Sequence, residues 1–217
     1  MYHTILFDLD GTLTDSKEGI LNCLRYAFGK MGYPIPEEKE LLKFIGPPFQ
    51  ESLRDYCGFT PEEIRQATAW FRERYSVYGK FENAAAPGMV DLCRRLRDCG
   101  LTLAVASSKP EKMCVPICEK YGFAPYMTVI TGSGPSDDWV KADVIRETLR
   151  RLHGPDVREV LMVGDRRYDV EGAAALGMDC AGVEFFGYAA PGELEEAGAV
   201  AVFRTAEALG DFILGRA

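Results

Sequence analysis

Long hydrophobic runs, histidines and clusters of basic residues are what this chain of 217 residues has little of. No apolar run approaches the roughly 18 residues that a membrane-spanning helix requires, which argues against a membrane protein. Nothing near the first residue reads as a basic segment leading into a short apolar one, so no secretion signal is expected. The formal net charge is −8 and no basic block interrupts it. Binding of a nucleic-acid polymer through its phosphates is therefore disfavoured. A small phosphorylated molecule is not excluded, because a local site can be positive within a negative protein. The seven cysteines form no C-x-x-C pair, and only His3 and His153 stand by to complete a zinc site. They read as small apolar residues in a reducing cytoplasm.

What is present is an ordinary globular composition, 47% hydrophobic and 27% charged. Such a chain suits one domain, or one domain carrying an insertion. Apolar, β-rich segments are read at residues 4–8, 101–106, 126–131, 158–163 and 179–183, with 199–203 as a sixth. Helical patterns lie between them at 88–99, 110–121, 139–152, 168–176 and 205–215. Strands alternating with helices predict an α/β fold, a Rossmann-like parallel sheet covered on both faces. Nearly continuous apolar strands agree with burial on both faces. Residues 16–83 break the rhythm and read as helices only, about 16–31, 37–44, 48–57 and 61–79, punctuated by prolines. The expected organisation is a core of residues 1–15 and 84–217 with an inserted helical unit, 16–83, acting as a lid.

Four motifs fall at or just after strand ends. The first is Asp8-Leu9-Asp10-Gly11-Thr12, where an apolar strand ends in two carboxylates. Adjacent negative charges raise each other's pKa unless a cation lies between them, and a hard divalent ion with oxygen ligands is the natural solution. Gly11 lets the backbone turn away and approach a ligand closely. The second motif, Ser107-Ser108-Lys109-Pro110, offers a hydroxyl and free N–H groups at a helix start, suited to a phosphate oxygen. A simple helix cap explains it equally well. The third is Lys141, in a helical first turn where it opposes the helix dipole. A solvated surface lysine is the plainer account. The fourth, Gly164-Asp165-Arg166-Arg167-Tyr168-Asp169, again ends a strand with a carboxylate and adds a second at helical spacing. In a parallel sheet the carboxyl ends share one edge, so all four motifs can converge on one crevice.

Together these motifs resemble the haloacid dehalogenase superfamily, in particular its phosphoglycolate-phosphatase-like members with an α-helical cap. The resemblance spans essentially the whole chain. It implies Asp8 as the nucleophile that becomes an aspartyl-phosphate, and Asp10 as the acid that protonates the leaving alcohol and then activates water. It implies Mg2+ held by Asp8, the Asp10 backbone carbonyl and Asp165, with Asp169 assisting directly or through water. Lys141 would offset phosphoryl charge, with Lys109 the other candidate for that role. Ser107, or Ser108, would hold phosphate oxygens together with Gly11 and Thr12. The stretch from Asp8 to Ser107 is far longer than that from Ser107 to Lys141, which puts the insertion at the helical-cap position. Gly46, Pro47 and Pro48 resemble the substrate-facing loop of that cap, although an inter-helix turn accounts for them equally well. The expected activity is Mg2+-dependent hydrolysis of a small phosphomonoester of phosphoglycolate or nucleotide type. The alternative is a β-phosphoglucomutase-type mutase, against which the uncharged Pro47-Pro48-Phe49-Gln50 stretch argues. A receiver domain also uses strand-end aspartates, a hydroxyl and a lysine, but has no place for the insertion.

Overall fold

The computed structural model describes residues 1–47, 49–134 and 139–215. In chain order the elements are β1 (Thr4–Phe7), β2 (Thr14–Asp15), α1 (Lys17–Met31), α2 (Glu38–Leu41), α3 (Phe49–Cys57), α4 (Pro61–Val77), β3 (Ala84–Ala85), α5 (Met89–Asp98), β4 (Thr102–Pro110), α6 (Glu111–Lys120), β5 (Val129–Ser133), α7 (Lys141–Arg151), β6 (Val160–Gly164), α8 (Arg167–Ala174), β7 (Asp179–Val183), α9 (Glu193–Ala197), β8 (Ala201–Phe203) and α10 (Ala206–Ile213). The chain divides into two compact units, Met1–Thr14 with Ala85–Ala217, and Asp15–Ala84. Among the described residues no helix is long and apolar enough to cross a membrane.

The first unit is built on a parallel sheet in the order β5-β4-β1-β6-β7-β8. Alternation along each strand sends successive side chains to opposite faces. Ile5 and Phe7 pack with Leu103, Val105, Leu161 and Val163 on one face, while Leu6 packs with Ala104, Ala106, Val160 and Met162 on the other. Both faces are thus buried, and each fully buried Leu, Ile or Phe contributes about 1.5–3 kcal/mol. Register is what matters for function. Phe7 lies level with Val105 on one side and Val163 on the other. The residues that follow these three strands therefore leave the sheet at one level. β4 continues past the expected end at Ala106, because after an irregularity Pro110 pairs with Ser133. Pro110 is extended there, so α6 begins one residue later than its sequence pattern suggested.

The second unit is helical. Thr60 caps α4 in a reciprocal box with Glu63, and Pro61 occupies the first turn, where its missing N–H costs nothing. Gly32 ends α1 in the left-handed conformation. The segment expected as one helix over 37–44 tightens into a 3-10 turn at Leu42–Phe44 before Gly46 reverses the chain at φ 100°. Phe28 anchors an aromatic cluster with Tyr33, Phe44 and Phe59, at centroid separations of 5.4, 6.3 and 6.1 Å. Arg74 holds both oxygens of Glu82 at 2.6 and 2.7 Å.

Candidate active site

Asp8 follows β1 directly and is 8% exposed. Its Oδ1 accepts from Lys141 Nζ at 2.6 Å, and the same ammonium lies 2.6 Å from Asp169 Oδ1. Lys141 is the first residue of α7 and is buried, so the solvated reading of this lysine does not hold. A buried ammonium at a helix N-terminus is unfavourable by itself, and two carboxylates offset that. Burial works to lower the Lys141 pKa, yet Asp169 and Asp8 outweigh it and raise the group above its ordinary value. Burial pushes Asp8 up to about 6, opposed by Lys141 and reinforced by Asp169 and Asp10.

Asp165 leaves β6 through Gly164 and is 4% exposed. Both of its carboxylate oxygens are buried without a hydrogen-bond partner. Burial, followed by the charges of Asp169 and Asp8, pushes its carboxyl well above the usual range, against the pull of Arg166 and Lys141. A buried carboxylate with no partner is costly unless a cation meets it. The first and fourth motifs also interlock. A Cβ at Gly11 would fall on the Asp165 carboxylate, and a Cβ at Gly164 would fall on the Asp169 side chain. Gly11 additionally sits at φ 85°, where other residues are strained. Gly11→Ala is therefore expected to cost about 1–3 kcal/mol from backbone strain alone. Displacing Asp165 as well, it should lower both melting temperature and activity; a variant that melts and turns over like the wild type would contradict this packing.

These residues suit a divalent cation: Asp8 and Asp165 supply carboxylates, and the partnerless Asp165 oxygens are what such an ion satisfies. Among the described residues no three His, Cys, Asp or Glu side chains form a ready-made ligand group. Asp169 is engaged within the protein: its Oδ1 receives Lys141 and its Oδ2 receives the Arg166 N–H at 3.2 Å.

Two pairings carried no signal in the motif spacing. Lys109 Nζ lies 2.7 Å from Asp10 Oδ1 and 2.6 Å from Oδ2, with the two side chains 8% and 15% exposed. Lys109 and Lys141, weighed in the sequence for a single role, each take a different carboxylate. Arg166 Nε donates to Glu193 Oε1 at 2.9 Å, in a pair 13% and 11% exposed. Burial tends to raise the Glu193 carboxyl, yet Arg166 and the N–H groups of Arg167 and Ala190 hold it below its ordinary range.

The hydroxyl candidates separate. Ser107 is buried and its Oγ accepts from the Lys109 N–H at 3.4 Å, whereas Ser108 is exposed. The Thr12 hydroxyl is buried without a partner. Gly46 and Pro47 belong to the helical unit, and Pro48 lies outside the described residues. None of the seven cysteines forms a disulfide; five are buried, Cys57 is half-buried and Cys99 is exposed.

The model of the haloacid dehalogenase-like hydrolases matches residues 5–183. A 5'-nucleotidase of Pseudomonas aeruginosa is 35% identical over 193 residues, 89% of this chain and 87% of that protein. The tyrosine-protein kinase PtkA of Mycobacterium tuberculosis is 38% identical over 176 residues, 81% of this chain, which spans 60% of that protein's length. Phosphoglycolate phosphatase 1 of P. aeruginosa is 27% identical over 188 residues, 83% of this chain and 69% of that protein. A solved structure of a predicted phosphatase from Clostridium acetobutylicum superimposes with a TM-score of 0.93 at 36% identity, over 99% of both chains.

Proposed function

The chain belongs to the haloacid dehalogenase-like hydrolase family and is a phosphatase; we propose that it hydrolyses a small-metabolite phosphomonoester, with Mg2+, through an aspartyl-phosphate on Asp8. One observation carries the reading. A buried lysine fixes Asp8 at a strand end, beside an Asp165 carboxylate whose two oxygens lack any protein partner.

In the first half-reaction an Asp8 oxygen attacks phosphorus while the bond to the leaving alkoxide breaks, and Asp10 gives that oxygen its proton. In the second, Asp10 takes a proton from water as the water attacks the phosphoryl group, releasing phosphate and restoring Asp8. Lys141 orients the nucleophile and offsets charge on the transferring group. Lys109 holds the Asp10 carboxylate in place. The buried hydroxyls of Ser107 and Thr12 are donors for phosphoryl oxygens. Mg2+ would be held by Asp8, Asp165 and the Asp10 carbonyl, and when bound it neutralises charge on the phosphoryl oxygens. Asp169 acts by fixing Lys141 and the Arg166 amide.

The helical unit is proposed as a cap that selects the leaving group and excludes water during the first transfer, with Gly46 and Pro47 shaping its loop. Phosphoglycolate and nucleoside monophosphates are the substrate types proposed, on the strength of the relatives' activities. Seven cysteines held as thiols suit the cytoplasm as its compartment. The test is phosphate release across a panel of phosphoglycolate, nucleoside monophosphates and sugar phosphates. Release is expected with Mg2+, silence with excess chelator, and recovery when Mg2+ returns. Turnover indifferent to chelation would overturn the metal assignment, and a shifted rather than freed phosphate would indicate a mutase.

A further inference from the structure

We propose that Glu193 is a positioning residue that holds the Arg166 guanidinium away from Asp165 and so keeps the Asp165 oxygens open to a cation. The inference rests on the cation site proposed above. Arg166 is the chain neighbour of Asp165, and its charge is felt there. Yet no hydrogen bond links the two, and both Asp165 oxygens are buried without a partner. The guanidinium is instead turned to Glu193, whose Oε1 accepts from Nε at 2.9 Å and whose Oε2 lies 3.5 Å from Nη2. Glu193 is itself anchored from the backbone. Oε1 also receives the Arg167 N–H at 3.0 Å, and Oε2 receives the Ala190 N–H at 3.0 Å. A carboxylate fixed by two main-chain donors is a rigid acceptor for the arginine.

Asp165 is a buried carboxylate in want of a positive partner, and a guanidinium matches a carboxylate in a two-pronged geometry. With Glu193 neutral, the carboxylate of its chain neighbour Asp165, which already feels the Arg166 charge, becomes the competing acceptor for that guanidinium. An Arg166–Asp165 pair would satisfy the oxygens that the cation needs and would displace it. Groups that orient metal ligands from behind typically affect affinity by about 10–100-fold when altered.

The experiment is calorimetric titration of the metal-free, full-length protein with Mg2+ alone, in the absence of substrate. Wild type is expected to bind, Glu193→Gln to bind about 10-fold or more weakly, and Glu193→Asp to bind close to wild type. The decisive variant is Glu193→Gln combined with Arg166→Met, in which removing the competitor should return affinity to near the wild-type level. A double variant as weak as Glu193→Gln would overturn the proposal, because lost support of the fold would not be repaired by a second deletion. Glu193→Gln binding like wild type would overturn it as well. Should Glu193→Gln fail to fold, Arg166→Met alone decides: affinity equal to or above wild type supports the restraint, and weakened affinity refutes it. Absence of Mg2+ binding in the wild type itself would instead remove the cation site, and the restraint with it.

Discussion

Asp8→Asn should reduce phosphate release by on the order of 10^4-fold or more, the scale on which removing a covalent nucleophile acts. The substitution keeps the size of the side chain and an oxygen to accept from Lys141, so the fold should survive. Stability supplies an independent check with a definite sign. Burial raises the Asp8 pKa from its ordinary value to about 6. A carboxyl raised on folding contributes stability fully below its unfolded pKa and loses it as pH climbs through the folded value. In metal-free protein the ionised Asp8 is thus a cost that grows between about pH 4 and 6, from its ordinary pKa to its folded one, and levels off above, and asparagine never incurs it. The melting temperature of Asp8→Asn relative to wild type is expected to rise across that interval. Asp10→Asn supplies the complementary kinetics. With an activated aryl phosphate, whose leaving group needs no proton, the first transfer should proceed and the phosphoenzyme accumulate, detectable by intact mass. Steady turnover should fall by about 10^2–10^4-fold. Full activity in Asp8→Asn, or no accumulation in Asp10→Asn, would reject the respective role.

Lys141→Met is expected to destabilise the metal-free protein by about 3–5 kcal/mol near neutral pH, since it strips the shared cation from two buried carboxylates. Lys141 Nζ sits 2.6 Å from both Asp8 Oδ1 and Asp169 Oδ1. The thioether fills much of the same space, so the loss reports charge rather than packing. Urea unfolding at several pH values measures it. The deficit should shrink toward acid as Asp8 takes up a proton and needs the ammonium less. Activity should vanish at every pH. A variant as stable as the wild type at pH 7.5 would show that the lysine is not the partner the two carboxylates rely on.

The sheet was legible in the sequence because buried strands with both faces covered are apolar throughout and stand out against charged helices. The first and fourth motifs were legible for the same reason: a carboxylate at the end of an apolar strand is conspicuous. Their meeting followed from the shared edge of a parallel sheet, and the register of Phe7 with Val105 and Val163 supplies it. The pairings were not legible. Sequence spacing put Lys109 and Lys141 near the same edge but could not assign a carboxylate to each, because that depends on which strand lies beside which. Ser107 parts from Ser108 only through burial. Glu193 gave no signal, since an acid at a short helix start reads as ordinary dipole compensation. The interlock of Gly11 with Asp165 was hidden too, as the glycine's turn explains it without any distant neighbour.

The position of β1 bears on how the protein comes to exist. This strand precedes both of its neighbours in the chain, which begin at Thr102 and Val160. Until the second arrives, one row of main-chain donors and acceptors on this apolar strand stands unmatched. Vectorial synthesis therefore exposes a sticky edge until the strand that begins at Val160 is made, and closure of that edge is the same event that brings the acidic residues that follow the two strands face to face. Competence for chemistry and escape from misassociation are reached in a single late step.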